Sequence, residues 1–232
     1  MLARTGLVIA CLSMAGCGNA ANAPVPGASA SSPPSVAEAP ATNPMPVVVM
    51  LGDSLTAGYE LDARAALPEA VGRVLAARGV KARLVNAGVS GATSGDGLES
   101  YDFSVAGQHP DLLIVALGAN DFLQNMPVET PQKNLSAIVE KAQAARLPVA
   151  LMGISVPDSV KVSSEREAAY AKLWTGVAKA HNIPVLRDML APIHGKADLL
   201  LGDGIHPTEK GVEAMAGPVA EFIAPLLAAL PD

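Results

Sequence analysis

The chain has 232 residues, of which 50% are hydrophobic, 16% charged and only 3% aromatic, and its formal net charge is −6. That balance excludes a globally disordered chain, and sixteen Lys and Arg residues placed singly exclude the electrostatic footprint of a nucleic-acid binder. The two cysteines, Cys11 and Cys17, lie at the extreme N-terminus, which excludes disulfides, thiolate metal sites and cysteine catalysis from the rest of the chain.

Residues 1–17 carry one positive charge at Arg4, then an apolar run from Leu7 to Ala15, then small residues. This is the pattern of a signal peptide, too short for a stable membrane span. Its end, Met14-Ala15-Gly16-Cys17, resembles a bacterial lipobox with Met in place of the usual Leu. That resemblance implies cleavage before Cys17, lipid on the cysteine and attachment to a membrane surface. The absence of Asp at position 18 points to the outer membrane, on its periplasmic side. An ordinary signal cut after Ala21-Asn22-Ala23, releasing a soluble periplasmic or secreted protein, is the alternative. Residues 18–45 are Ala, Pro, Ser and Asn with one charge at Glu38, which predicts a disordered tether ahead of a single domain over 46–232.

The domain begins with Pro46-Val-Val-Val-Met-Leu51, a short β-branched run suited to a buried parallel strand. Arg64 to Arg78 spaces Leu67, Val71, Val74 and Leu75 on one helical face and ends at Gly79. A strand at 82–86 follows, then a turn and helix within 95–107 and the clearest central strand at 111–117. A helix over 130–145 precedes a strand at 148–153. A second long helix over 165–181, striped by Tyr170, Leu173, Trp174 and Val177, precedes a strand at 183–186. The last helix starts near Pro207, where proline suits the first turn, and Pro218 and Pro225 are expected to kink or split it. Strands alternating with helices predict a three-layer α/β/α fold with a five-stranded parallel sheet and right-handed crossovers. In such a sheet the ligand site lies beyond the carboxyl ends of the strands.

Polar and glycine-rich segments fall there. Ser54, in Gly52-Asp53-Ser54-Leu55-Thr56-Ala57-Gly58, sits on a strand-to-helix turn where a hydroxyl can be exposed beside backbone N–H groups. By itself it reads equally as a helix-capping serine. Asp203 and His206, three residues apart in Asp203-Gly204-Ile205-His206-Pro207, can meet side chain to side chain, with Asp203 setting the imidazole tautomer. A surface cap and a packed polar residue are the bland readings. Between these segments, Gly88 offers a close backbone N–H and Asn120 a side-chain NH2, the donors that acyl transfer requires for a developing oxyanion.

These four segments, in this order, resemble the SGNH or GDSL-type hydrolase family over essentially all of 46–230. The resemblance implies a flavodoxin-like SGNH hydrolase fold and a monomer that needs no cofactor or metal and acts on small acyl esters or thioesters. The activities it implies are those of an arylesterase, lysophospholipase or thioesterase. It implies that Ser54 is the nucleophile of a triad with His206 and Asp203. It also implies that Ser54, Gly88 and Asn120 form the oxyanion hole. Ala119 departs from the Gly that relatives often carry, without removing a catalytic group. The segment Phe122-Leu123-Gln124-Asn125-Met126-Pro127 borders the acyl pocket in similar enzymes, so Phe122, Leu123 and Ile205 are candidate substrate contacts, with core packing an equal reading for the loop. A carbohydrate O-acetyl esterase uses the same machinery and is the catalytic alternative. A non-catalytic lipid- or carbohydrate-binding protein is the other class. Asp53, Asp121 and Asp203 would suit a metal hydrolase, but no paired-His motif accompanies them, and His109, His181 and His194 read as structural or solvent-facing.

Overall fold

The computed structural model describes residues 45–155, 160 and 163–231. The signal, Cys17 and linker readings concern residues that, Met45 apart, lie outside that set. Five strands form one parallel sheet in the order β2-β1-β3-β4-β5. They are β1 (Val47–Gly52), β2 (Arg83–Gly88), β3 (Leu112–Ala116), β4 (Val149–Met152) and β5 (Val185–Leu186). β1, β3 and β4 are almost wholly buried because alternate side chains enter two different cores. Val48, Met50, Leu112, Ile114, Ala150 and Met152 enter one, and Val49, Leu51, Leu113, Val115, Val149 and Leu151 the other. Burying each of the larger of these side chains contributes about 1.5–3 kcal/mol.

The first core is closed by α2 (Leu67–Ala77) and α9 (Glu209–Ala228), which bring Val71, Leu75, Met215, Val219 and Ile223 onto the sheet. The second is closed by α6 (Glu129–Ala144) and α8 (Leu173–His181), with Leu135, Ile138, Trp174 and Val177 fully or nearly fully buried. The three-layer α/β/α reading is therefore correct, and the sheet is parallel throughout.

Three expected elements differ. The helix expected within 95–107 is two short pieces, α3 (Ser94–Glu99) and α4 (Tyr101–Ser104), each less than two turns long. The helix expected over 165–181 breaks into α7 (Ser164–Tyr170) and α8, because the Lys172 N–H turns back to Ala169 O at 3.3 Å instead of continuing the i−4 ladder. Conversely, α9 runs through Pro218 and Pro225. Both prolines stand on its exposed side, so the carbonyls they orphan at Ala214 and Glu221 lie near solvent rather than in the core.

Register decides where the chain leaves the sheet. Gly52 is level with Gly88 of β2 on one side and with Ala116 of β3 on the other. The segments after β1, β2 and β3 therefore emerge together at the carboxyl edge, at the point where strand order reverses.

Candidate active site

β1 ends at Gly52, and Asp53 turns the chain into the four-residue helix α1 (Ser54–Ala57) by accepting the Leu55 N–H on Oδ1 at 3.0 Å. Gly58, at φ 82°, stops the helix by donating its N–H to Ser54 O at 3.1 Å. Ser54 is thereby held at the first position of a helix, where backbone N–H groups have no intrahelical acceptor. A side chain on Gly52 would fall 2.0 Å from Thr56 Oγ1, so this turn admits no Cβ there without moving α1.

The other end of the chain arrives through a short antiparallel pairing in which the Leu201 N–H donates to His206 O at 2.7 Å and the Thr208 N–H to Leu199 O at 2.9 Å. Within that turn Asp203 Oδ1 accepts the N–H groups of Ile205 and His206 at 2.9 and 3.0 Å. Its Oδ2 lies 2.6 Å from His206 Nδ1. His206 Nε2 lies 2.8 Å from Ser54 Oγ, across 152 residues of sequence. Burial raises the Asp203 carboxyl, but the His206 side-chain bond and the two backbone N–H groups outweigh it and hold the group at about 2. An ionised Asp203 only accepts, so Nδ1 carries the proton and Nε2 faces the Ser54 hydroxyl with a lone pair. The Tyr59 ring stacks on His206, 4.3 Å between centroids.

Asp53 behaves in the opposite sense. Asp53 is 1% exposed, and burial drives its carboxyl from 3.8 up to about 6, against the opposing pull of the Leu55 N–H.

Asn120 is on α5 (Ala119–Leu123), which follows β3. One hydrogen of its amide is committed to Ala92 O at 3.0 Å, which orients the group, and NH2 has a second hydrogen to give. Asp121 is fully buried and accepts the Ser94 N–H and hydroxyl at 2.7 and 2.6 Å, tying the loop after β3 to the start of α3.

Gly88 does not stand where the sequence reading put it. β2 extends through Gly88, two residues beyond the expected strand, and the Gly88 N–H is taken by Asn86 Oδ1 at 3.0 Å. A Cβ there would lie 2.4 Å from Ala57 N and 2.9 Å from Asp53 O, so Gly88 lets the Ser54 turn cross the strand end. The glycine that lines the pocket is Gly91, three residues on and at φ 83°. Its N–H donates to no carbonyl or side chain in the described residues. The segment Asn86-Ala87-Gly88-Val89-Ser90-Gly91 holds two glycines, and only the extent of β2 shows that the second is the one that clears the strand.

Ser54, His206 and Asn120 face a pocket of about 370 Å³, in the range of small-molecule sites. Phe122, Leu123 and Ile205 all line it; Phe122 is 4% exposed and Leu123 45%. Sequence reading missed Tyr59, Ile154, Tyr170, Trp174 and Leu190, which complete an apolar wall. They come from five different segments, and the stripe containing Tyr170 and Trp174 reads as ordinary core. His194 was read as a loop residue, and its Nε2 faces Ser155 Oγ at 2.6 Å and Asp188 Oδ2 at 3.4 Å. Among the described residues, no three His, Cys, Asp or Glu side chains converge as a metal site.

Comparison with known proteins places this geometry. The model of the GDSL-like lipase/acylhydrolase family matches residues 50–214. The esterase TesA of Pseudomonas aeruginosa is 29% identical over 180 residues, covering 78% of this chain and 89% of its own. The thioesterase 1/protease 1/lysophospholipase L1 of Escherichia coli strain K12 is also 29% identical, covering 78% and 84%. The crystal structure of the psychrotrophic esterase EstA from Pseudoalteromonas sp., inhibited by monoethylphosphonate, superposes with a TM-score of 0.72 at 30% identity. That superposition covers 78% of this chain and 98% of that one.

Proposed function

The chain belongs to the GDSL-like lipase/acylhydrolase family, and we propose that it cleaves carboxylic ester or thioester bonds of small acyl substrates by a Ser54–His206–Asp203 relay through an acyl-enzyme. The observation that carries this reading is the continuous pair of contacts from Asp203 Oδ2 through His206 to Ser54 Oγ, 2.6 and 2.8 Å long, opening on an apolar pocket. His206 Nε2 takes the Ser54 proton as Oγ attacks the acyl carbonyl, and Asp203 stabilises the imidazolium that forms. The oxyanion is held by the backbone N–H groups of Ser54 and Gly91 and by Asn120 Nδ2, with Gly91 replacing Gly88 in this role. Collapse of the tetrahedral intermediate passes the proton from His206 to the departing alcohol or thiol. Water then enters, loses a proton to His206 and releases the acid from Ser54.

Names of the relatives support esterase, thioesterase and lysophospholipase activities as the range to test. Phe122, Leu123 and Ile205 are proposed acyl-chain contacts. The sequence of residues 1–17 supports export with Cys17 as a lipid attachment point, facing the periplasm.

The test is turnover of p-nitrophenyl esters from acetate to palmitate, with acyl-CoA, lysophospholipid and acetylated sugar in parallel, by wild type and Ser54→Ala. A folded Ser54→Ala protein should lose acyl-enzyme formation and nearly all activity; wild-type turnover in that variant refutes the relay. Activity confined to acetylated sugar would favour a carbohydrate O-acetyl esterase.

A further inference from the structure

α5 cannot hold its own position. It has five residues, enters through Gly118 at φ 113° and has no side-chain N-cap, far below the length at which a helix is stable alone. Two independent sets of contacts hold its two halves. The N-terminal half is tied by Asn120 Nδ2 to Ala92 O and by Asp121 to Ser94. The C-terminal half, with the turn after it, is tied instead to α7. The Arg166 guanidinium donates to Phe122 O, a carbonyl of the last turn that also accepts the Asn125 N–H at 3.1 Å. The same guanidinium lies over the Phe122 ring at 4.6 Å and is 5.6 Å from the Tyr170 centroid. The Tyr170 hydroxyl donates to Met126 O at 2.9 Å, and its ring meets Phe122 edge-on at 4.9 Å.

Phe122, Leu123 and Tyr170 line the pocket. We propose that Arg166 is a positioning residue that sets the acyl-binding wall and so the preference for longer acyl chains, while leaving the oxyanion donor on the same helix untouched. The inference rests on the acyl-hydrolase reading above. The division of anchors gives it content: losing Arg166 leaves Phe122 and the turn beyond it held to α7 by Tyr170 alone, but Asn120 and Asp121 keep their own partners. A guanidinium is required because it donates in its plane and stacks with its face at once, whereas an ammonium does only the first.

The experiment measures kcat and KM for p-nitrophenyl acetate, butyrate, octanoate and decanoate with the wild type, Arg166→Ala and Arg166→Lys. Labelling by a monoethylphosphonate ester runs alongside. In Arg166→Ala the ratio of kcat/KM for decanoate over acetate should fall about tenfold, chiefly through KM. Turnover of acetate and the labelling rate should stay within about twofold of wild type. Arg166→Lys should lose about threefold in the same ratio, recovering the bond to Phe122 O without the stacking. An unchanged ratio in folded Arg166→Ala overturns the proposal, and if that variant does not fold, an unchanged ratio in Arg166→Lys does so. Failure of the wild type to be labelled would instead count against the serine mechanism itself, so the two failures are distinguishable.

Discussion

Asp53 stands beside Ser54 as a charge in a place that disfavours charge, and replacing it by Asn tests that directly. Asn keeps an oxygen to accept the Leu55 N–H, 3.0 Å away in the wild type, and is an equally good N-cap, but it is neutral at every pH. Raising a buried carboxyl from 3.8 to about 6 corresponds to about 3 kcal/mol at 1.36 kcal/mol per pH unit. The sign follows from which state binds the proton more tightly. Below pH 3.8 Asp53 is protonated in both folded and unfolded chains and costs nothing; as pH rises through 6 the folded state must hold the carboxylate, and that stability is lost. The unfolding free energy of Asp53→Asn, minus that of wild type, should therefore climb by about 2–2.5 kcal/mol between pH 4 and pH 7, the rest of the change lying below pH 4. Urea denaturation followed by fluorescence of Trp174, the single tryptophan, measures it. Taking the difference cancels the titration of groups that do not interact with Asp53. A difference that stays flat from pH 4 to pH 7 would refute the claim that burial governs this carboxyl.

Asn120→Ala should lower kcat by about 10²–10³ with little change in KM, because the donor acts on charge that appears only in the transition state; steady-state kinetics on one ester checks it. Asp203→Asn should reduce kcat by about 10³–10⁴ by allowing the wrong imidazole tautomer. Because the Asp203 carboxyl is held at about 2, its contribution to stability is present above pH 3.8 and lost as pH falls toward 2. Asp203→Asn should accordingly show a shallower loss of stability on acidification than wild type, by denaturation at pH 2 to 5. Gly88→Ala should destabilise the fold by about 1–3 kcal/mol, since its Cβ meets backbone of α1 on arrival. Gly91→Ala meets nothing within 4 Å and should cost about 1–2 kcal/mol, the expense of a left-handed backbone; thermal denaturation of the two variants orders them.

Much of this protein was determined locally. The short apolar runs around Val48, Ile114 and Leu151, bounded by Gly or Pro, read as buried strands, and the helices between them make the sheet parallel. The chemistry of Ser54 and of the Asp203–His206 turn is equally local, because a serine on a strand-to-helix turn and a carboxylate three residues before an imidazole carry their geometry in their spacing. Asn120 follows from its place just past the central strand.

What lay beyond local reading is where non-local packing chooses between equivalent residues. Gly88 and Gly91 are indistinguishable as glycines; β2 pairing with β1 as far as Gly52–Gly88 uses up the first and leaves the second at the pocket. Trp174 and Tyr170 read as core because they are core, 4% and 2% exposed, and only the tertiary structure shows that they also line the pocket beside Ser54. The displacement of Asp53 likewise needs the fold, since a carboxyl next to a serine is ordinary until β1, β2 and α1 close around it and remove its water. Short-range patterns specify which chemical groups are available, whereas their surroundings, on which charge, reach and selectivity depend, come from segments up to 152 residues apart.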